Sequence, residues 1–198
     1  MTEETNTVGR TEKKRLFVLS GPSGTGKGTV CKEVLRQTDH MVLSISATTR
    51  RPRAGEVDGK DYFFLTPEAF LSMEEQDELL EYAQFSENFY GTPRKYVESS
   101  LEEGNHVLLE IEVQGAMQVK KKMPEAVLIF LYPPSMEELE KRLRERGTDD
   151  DASIRRRLER AKEELKMLSA YDYAVENDRV EWATEKICAI IRAEQCRV

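Results

Sequence analysis

A short glycine-rich stretch with a single lysine is the part of the sequence that points most directly to chemistry. Glycines allow consecutive backbone N–H groups to converge on one anion, and a helix that begins there adds positive potential. The lysine can reach the outer phosphates of a nucleotide. We therefore predict a nucleotide-phosphate site, formed by Gly21, Pro22, Ser23, Gly24, Thr25, Gly26, Lys27, Gly28 and Thr29.

The position after the lysine departs from the usual pattern of such loops. A Ser or Thr that contacts magnesium normally follows the lysine, but this chain has Gly28 there, with Thr29 one residue further on. The metal ligands therefore stay undetermined from the sequence. Thr29, acting through a bound water, is the candidate.

Arginines form a second cluster that could hold an anion. Arg50, Arg51 and Arg53 stand close together in a Pro- and Gly-rich segment. Their guanidinium groups repel one another unless solvent or an anion intervenes, and their planar shape suits a phosphate dianion. The alternative from charge alone is a solvated basic loop.

Several other polar residues are ambiguous when taken singly. Glu81, in acidic surroundings, is typical of a solvated helix carboxylate, and Tyr62 and Tyr90 are typical of half-buried packing residues. Glu110 and Glu112 differ, because they lie two residues apart in an apolar segment that we predict to be a strand. They would then share one face, where a buried carboxylate pair is costly without partners.

The elements that must position these residues alternate between strands and helices. Short apolar runs at residues 16–20, 41–46, 106–113 and 126–132 are typical of buried strands, and helical or loop material separates them. This alternation predicts an α/β fold in which helices flank a mostly parallel sheet. A strand-like run also precedes Asn177.

Two further regions differ from this core in amino-acid composition and in the spacing of their apolar residues. Between residues 50 and 92, Gly, Pro and Arg give way to a Thr66-Pro67 helix start and an aromatic-rich stretch, which predicts a small inserted lobe. Further on, Ser135 to Glu138 forms a capping-box sequence, and Ile154 to Leu168 repeats apolar residues at helical spacing, which predicts two helices.

Composition excludes other classes of function. The 198 residues contain 30 Lys and Arg against 37 Asp and Glu, a formal charge of −7. Since this charge repels polyanions, we expect no nucleic-acid partner. The longest apolar run is far below the roughly 20 residues of a bilayer span, so we expect no membrane partner. Three cysteines without metal-ligand spacing favour a cytoplasmic location, and the oligomeric state stays open.

In combination, these motifs resemble guanylate kinase, a P-loop nucleoside monophosphate kinase. The resemblance extends over about residues 16–195 and depends on six ordered blocks, at residues 21–29, 44–50, 90–92, 110–115, 142–147 and 153–158. It implies a P-loop-type core at residues 16–49, 93–135 and 170–198, a GMP-binding lobe at about 50–92 and a helical lid at about 136–169. Residues 1–15 are expected to be a mobile leader.

The resemblance also implies roles for individual residues in transfer of the γ-phosphoryl group from ATP to GMP, with Mg²⁺ accompanying ATP. Lys27, Arg50, Arg146 and Arg157 would be catalytic, and Asn177 would join the phosphate loop in binding ATP. The GMP phosphate would be held by Arg50, Arg53, Tyr62 and Tyr90, and guanine would be read by Ser46, Glu81, Thr92 and Glu112. Glu112 replaces the aspartate that is common in the family.

Two alternatives differ from this reading. A noncatalytic module of the same fold would bind phosphopeptides, but such modules tend to lack the loop lysine, whereas Lys27 is present here. A related kinase that phosphorylates ribose bisphosphate would share the phosphate loop but lack the guanine-reading residues. Ser46, Glu81 and Thr92 argue against that second alternative.

Overall fold

The computed structural model describes residues 14–85, 87–145, 147 and 150–197, and it has two sheets. In chain order, the elements are β1 Leu16–Ser20, α1 Lys27–Gln37, β2 Met41–Leu43, β3 Ala47–Thr48, β4 Phe63–Phe64, α2 Pro67–Glu75, β5 Leu79–Phe85, β6 Asn88–Pro93, α3 Arg94–Glu102, β7 His106–Glu110, α4 Val113–Lys122, β8 Val127–Tyr132, α5 Met136–Glu145, α6 Asp151–Leu165, a 3-10 turn Lys166–Ala170, β9 Tyr173–Glu176 and α7 Val180–Gln195. The larger sheet is parallel, with strand order β2-β7-β1-β8-β9, and the smaller one has the order β4-β3-β6-β5.

The parallel sheet is the core of the molecule. Every residue of β1 is buried, and apolar side chains from α1 and α7 cover one face of the sheet while side chains from α3 and α4 cover the other. Parallel strands that are covered on both faces consist of continuous apolar runs, so these strands could be predicted from the sequence. The predicted α/β fold is confirmed. Within the described residues, no helix has both the length and the apolar character needed to cross a membrane.

Two of the predicted strands are shorter than expected. The run at residues 41–46 leaves the parallel sheet after Leu43, and the chain next pairs at Ala47 in the smaller sheet. The run at residues 106–113 ends at Glu110, because Glu112 is already the N-cap of α4. The expectation that Glu110 and Glu112 share one strand face is therefore wrong, since only Glu110 belongs to the strand.

The smaller sheet and α2 form the inserted lobe. Thr66 caps α2 by accepting a hydrogen bond from Ala69 N (3.2 Å), and Phe70 of that helix is fully buried against the sheet. Because the sheet includes β3 and all of β6, it begins at Ala47, before the proposed range of 50–92, and ends at Pro93, one residue after it.

Helices α5 and α6 pack against each other through a small apolar cluster that includes Leu139, Leu143 and Ile154. Ser135 Oγ accepts from Glu138 N (3.1 Å), as the capping sequence predicts, but the Glu138 carboxylate accepts from Arg142 Nε (2.9 Å). Leu168 was expected on the apolar face. It lies instead in the 3-10 turn and is exposed, because the α-helix ends three residues earlier.

The start of the fold includes Arg15, which we had assigned to the leader. Arg15 N donates to His106 Nδ1 (3.1 Å), and Arg15 Nε donates to the carbonyl of Glu194 (2.8 Å). These contacts tie the chain before β1 to β7 and α7. The rest of the predicted leader, residues 1–13, lies outside the described residues.

Candidate active site

The phosphate loop lies at the carboxyl end of β1, between the sheet and α1. Gly21 has φ 144°, and a Cβ there would lie 2.0 Å from the carbonyl oxygen of Leu131 in β8, so only glycine fits. Gly26 is the N-cap of α1 in a left-handed conformation and supplies no side-chain hydrogen bond. The loop therefore brings the uncapped start of a helix to the edge of the sheet, where an anion would be stabilised.

Lys27 is folded back onto the loop that it follows. Its ammonium group donates to the carbonyls of Gly21 (2.6 Å) and Pro22 (3.1 Å). Burial lowers the pKa of Lys27, while nearby carboxylates, first among them Glu110, act in the opposite direction. The lysine is thus a desolvated cation at the position where nucleotide phosphates would bind.

Glu110 occupies the space beside Gly28. A Cβ at residue 28 would lie 3.3 Å from Glu110 Oε1, so the carboxylate would be in tight contact with a Ser or Thr side chain at that position. Burial raises the pKa of Glu110, and the charge of Lys27 opposes that rise. Thr29 lies on the same cavity wall.

Two cavities adjoin at this edge of the sheet. The donor cavity, of about 460 Å³, is lined by the phosphate loop and Lys27, and the acceptor cavity, of about 490 Å³, is lined by residues of the inserted lobe and α4. Glu110, Ile111 and Glu112 line both cavities. The turn between β7 and α4 is therefore the wall that the two cavities share.

Glu81 is the buried carboxylate of the acceptor cavity, with 6% of its surface exposed. Thr92 Oγ1 donates to Glu81 Oε1 (2.7 Å), and a β-bulge after Leu79 places these two residues opposite each other across β5 and β6. Burial raises the pKa of Glu81 to about 7; the hydrogen bond from Thr92 opposes the rise and the charge of Glu112 adds to it. Glu81 is thus not the solvated helix carboxylate that its sequence surroundings suggest.

Helix α4 holds Glu81 from the other side. A Cβ at Gly115 would lie 2.6 Å from Glu81 Oε2, so the carboxylate rests against a helix position that has no side chain. The Gln118 side chain donates to Tyr82 O (3.0 Å) and accepts from Tyr82 N (3.1 Å), which fixes β5 on α4.

The arginine cluster is neutralised in part by its own loop. Arg50 Nη2 donates to Glu56 Oε1 (2.8 Å), and this pairing lowers the pKa of Glu56. Arg50 also lies over the Tyr62 ring, which is in edge contact with Tyr90. Arg53 is exposed and contacts Glu56 through its backbone N–H (2.6 Å).

Ser46 lines the acceptor cavity and Glu112 lines both cavities, whereas Arg157 and Asn177 contact the phosphate loop. Arg157 Nη1 donates to Ser23 Oγ of the loop (3.4 Å), so α6 reaches the phosphate site. Asn177 is buried, and its Nδ2 donates to Thr25 O (2.6 Å). Arg146 lies outside the described residues.

Sequence reasoning missed several residues of this site. Glu56 could have been noticed, because it follows the arginines within the same loop. Gly115 lies in the motif block at residues 110–115, but its role, like those of Gln118 and Arg160, depends on how α4 and α6 pack against distant segments.

Comparison with known proteins agrees with this geometry. The sequence model of the family described as guanylate kinase matches residues 13–194, which is most of the chain. The chain belongs to the guanylate kinase family. The resemblance inferred from its motifs is therefore confirmed.

Individual guanylate kinases are similar over nearly the whole length. One from Caldanaerobacter subterraneus subsp. tengcongensis is 56% identical over 183 residues, covering 92% of this chain and 89% of that protein. One from Bacillus cereus is 57% identical over 189 residues, covering 95% and 92%. The crystal structure of guanylate kinase from Anaplasma phagocytophilum superposes with a TM-score of 0.74 at 38% identity, covering 95% of this chain and 89% of that one.

Gly115→Ala should weaken GMP binding without weakening the fold. The new methyl group would displace the end of the Glu81 side chain, and loss of a charged hydrogen bond lowers affinity by roughly 10- to 100-fold. Alanine also favours a helix by about 1 kcal/mol over glycine, so the melting temperature should not fall. Calorimetric titration with GMP and thermal melting measure the two effects.

Gly104→Ala is the matched control for that substitution. Gly104 has φ 86° and open space around it, so alanine there should cost about 1 to 2 kcal/mol of stability and leave GMP affinity unchanged. Unchanged GMP affinity in Gly115→Ala would contradict the role of Glu81.

GMP affinity should rise with pH through the titration of Glu81. In the guanine-reading role that the family resemblance implies for Glu81, the N–H donors of the base would require the ionised carboxylate, whose pKa is raised to about 7. We therefore expect the affinity of the wild type, divided by that of Glu81→Gln, to increase roughly tenfold from about pH 6 to about pH 8. Ionisation of the GMP phosphate changes both affinities equally, so its effect cancels in this ratio.

Without nucleotide, the same group should affect stability in the opposite direction. Because the folded pKa of Glu81 lies above the ordinary value of 4.5, the folded protein binds the proton more tightly. This contribution to the free energy of unfolding is complete at low pH and is lost as pH rises to about 7. Denaturant titrations of wild type and Glu81→Gln test the sign, and a pH-independent difference would contradict it.

Proposed function

We propose that this chain transfers the γ-phosphoryl group of ATP to GMP, which gives ADP and GDP. Its membership of the guanylate kinase family supports the reaction. Within the chain, the observation that carries the proposal is the pair of adjoining cavities with Lys27 in one and the buried Glu81 in the other. Two nucleotides bound there would meet at their shared wall, where transfer has to occur.

The donor cavity takes ATP in this proposal. Loop N–H groups and the start of α1 face its phosphates, and Lys27 exchanges its loop carbonyls for phosphate oxygens. Asn177, which the family resemblance assigns to the adenine of ATP, lies next to the phosphate loop, where its Nδ2 donates to Thr25 O (2.6 Å). Arg157, already at Ser23, and Arg146 would approach the phosphates from the lid.

The acceptor cavity takes GMP. The GMP phosphate replaces the Glu56 carboxylate on Arg50, with Arg53, Tyr62 and Tyr90 around it. Guanine presents N–H donors at N1 and N2, and the carboxylates of Glu81 and Glu112 accept them. The hydroxyls of Ser46 and Thr92 serve the rest of the base edge. Adenine lacks that donor pair, so it would leave buried acceptors unpaired.

Transfer requires alignment and charge neutralisation and no general base. The GMP phosphate is already an anionic nucleophile, and Lys27 with the arginines reduces the repulsion between it and the ATP phosphates. Closure of the lobe and of α5 and α6 over the cleft would exclude water, which otherwise competes as an acceptor.

The donor cavity also fits a magnesium ion bound with ATP. Among the described residues, no three His, Cys, Asp or Glu side chains group into a metal cage. Mg²⁺ in phosphoryl-transfer sites typically uses one or two carboxylates together with substrate phosphates, and Glu110 and Thr29 offer oxygen ligands of this kind. These residues would hold the ion, directly or through water. When bound, it would neutralise charge on the ATP phosphates.

A competition among acceptors tests the proposed reaction. Purified protein with ATP and Mg²⁺ is offered GMP, AMP or ribose bisphosphate, and ADP release is followed in a coupled assay. Release with GMP alone supports the proposal. Preference for ribose bisphosphate would instead support the related sugar-phosphate kinase, and no release with any acceptor would support a noncatalytic module. The cytoplasmic location and the role in purine nucleotide metabolism stay predictions.

Lys27→Met should abolish turnover and leave GMP binding intact. Removing one buried charge that stabilises the transition state typically costs about 10²- to 10³-fold in kcat, and Lys27 does not line the acceptor cavity. Steady-state kinetics and GMP titration by calorimetry measure the two effects. Lys32→Met, an exposed lysine at the edge of the same cavity, is the control and should lose less than about tenfold. Equal losses in both variants would contradict the role of Lys27.

A further inference from the structure

Arg160 of α6 crosses from the lid to the wall between the two cavities. Its Nη2 donates to Glu112 Oε2, and its Nε donates to Glu164 Oε1 at 2.9 Å. Arg160 also lines the acceptor cavity, far in sequence from the other residues there. Two carboxylates from different elements therefore contact one guanidinium, and the side chains of Arg160 and Glu112 are each about half exposed.

Glu112 is placed so that this contact affects both substrates. It is the N-cap of α4 and belongs to the turn that both cavities share. Its charge acts on Glu81 and on Lys27, which lie on opposite sides of that turn. Glu112 makes no side-chain cap to α4, so its orientation depends on contacts such as the one with Arg160.

A carboxylate can serve two partners at once. It has two oxygens and about four acceptor positions, so Arg160 can hold Oε2 while Oε1 accepts from a bound ligand. Glu112 is also longer than the aspartate expected from the family resemblance and has an additional rotatable bond. An arginine that fixes one oxygen reduces the conformational freedom that binding would otherwise have to remove.

We propose that Arg160 is a positioning residue for guanine recognition, which holds the Glu112 carboxylate so that its second oxygen accepts from the 2-amino group of the base. This role rests on the proposed GMP site and deepens it. The same contact ties α6 of the lid to the acceptor cavity. Removal of Arg160 should therefore affect GMP more than ATP, although Arg160 lies on the lid.

The test compares Arg160→Ala with Arg156→Ala, an exposed arginine one turn earlier on the same helix. For Arg160→Ala we expect KM for GMP to rise about tenfold, with kcat and KM for ATP within about twofold of wild type. The preference for GMP over inosine monophosphate, which lacks the 2-amino group, should fall by a similar factor. Arg156→Ala should match the wild type in all four quantities.

A double-mutant cycle with Glu112→Gln separates positioning from direct contact. If Arg160 acts through Glu112, the effects on KM for GMP are not additive, and Arg160→Ala adds little once Glu112 is replaced. Arg160→Lys should recover part of the GMP preference, because lysine keeps the charge but not the planar two-carboxylate contact.

Three results would overturn the inference: an Arg160→Ala enzyme that behaves like Arg156→Ala, additive effects in the cycle, or a loss confined to kcat. Circular dichroism and thermal melting check that each variant is folded. A wild-type protein that does not phosphorylate GMP at all would instead overturn the proposed function, so the two failures are distinguishable.

Discussion

The site depends on the central position of β1 in a parallel sheet. Because the carboxyl ends of parallel strands meet at one edge, the turns after β1 and β7 lie side by side with β8 and β9 next to them. That edge therefore gathers the phosphate loop, Glu110, Glu112 and Asn177 although they are more than 150 residues apart in sequence at the extremes. Burial of β1 on both faces fixes its register and thus the position of Lys27 relative to the shared wall of the cavities.

The two cavities on either side of that wall carry groups of opposite charge. Lys27 is a partly buried cation whose pKa is lowered by desolvation, and Glu81 is a buried carboxyl group whose pKa burial raises to about 7. Each group carries a desolvation cost, which a ligand with the complementary charge or hydrogen bonds would offset. In the proposed reaction those ligands are the ATP phosphates for Lys27 and the guanine base for Glu81.

Local pattern determined what could be predicted from the sequence. The phosphate loop, the buried strands and the Thr66 cap depend on residues within about ten positions of one another, so their spacing identified them. Glu81 could not be placed in this way, because a β-bulge sets it opposite Thr92 and α4 closes over it. The run after Met41 was misjudged because an apolar strand pattern does not record that the chain changes sheets after Leu43. Residues such as Glu81 have roles that depend on tertiary packing, so their spacing in the sequence does not reveal these roles. The family resemblance indicated them instead.

Absent side chains explain how charged groups fit into this cleft. The Glu110 carboxylate lies close to Gly28, the Glu81 carboxylate takes the space that a side chain at Gly115 would need, and Gly21 lets the loop lie against the backbone of β8. The Glu110 carboxylate therefore lies next to the phosphate loop, beside a position where this chain has no hydroxyl side chain.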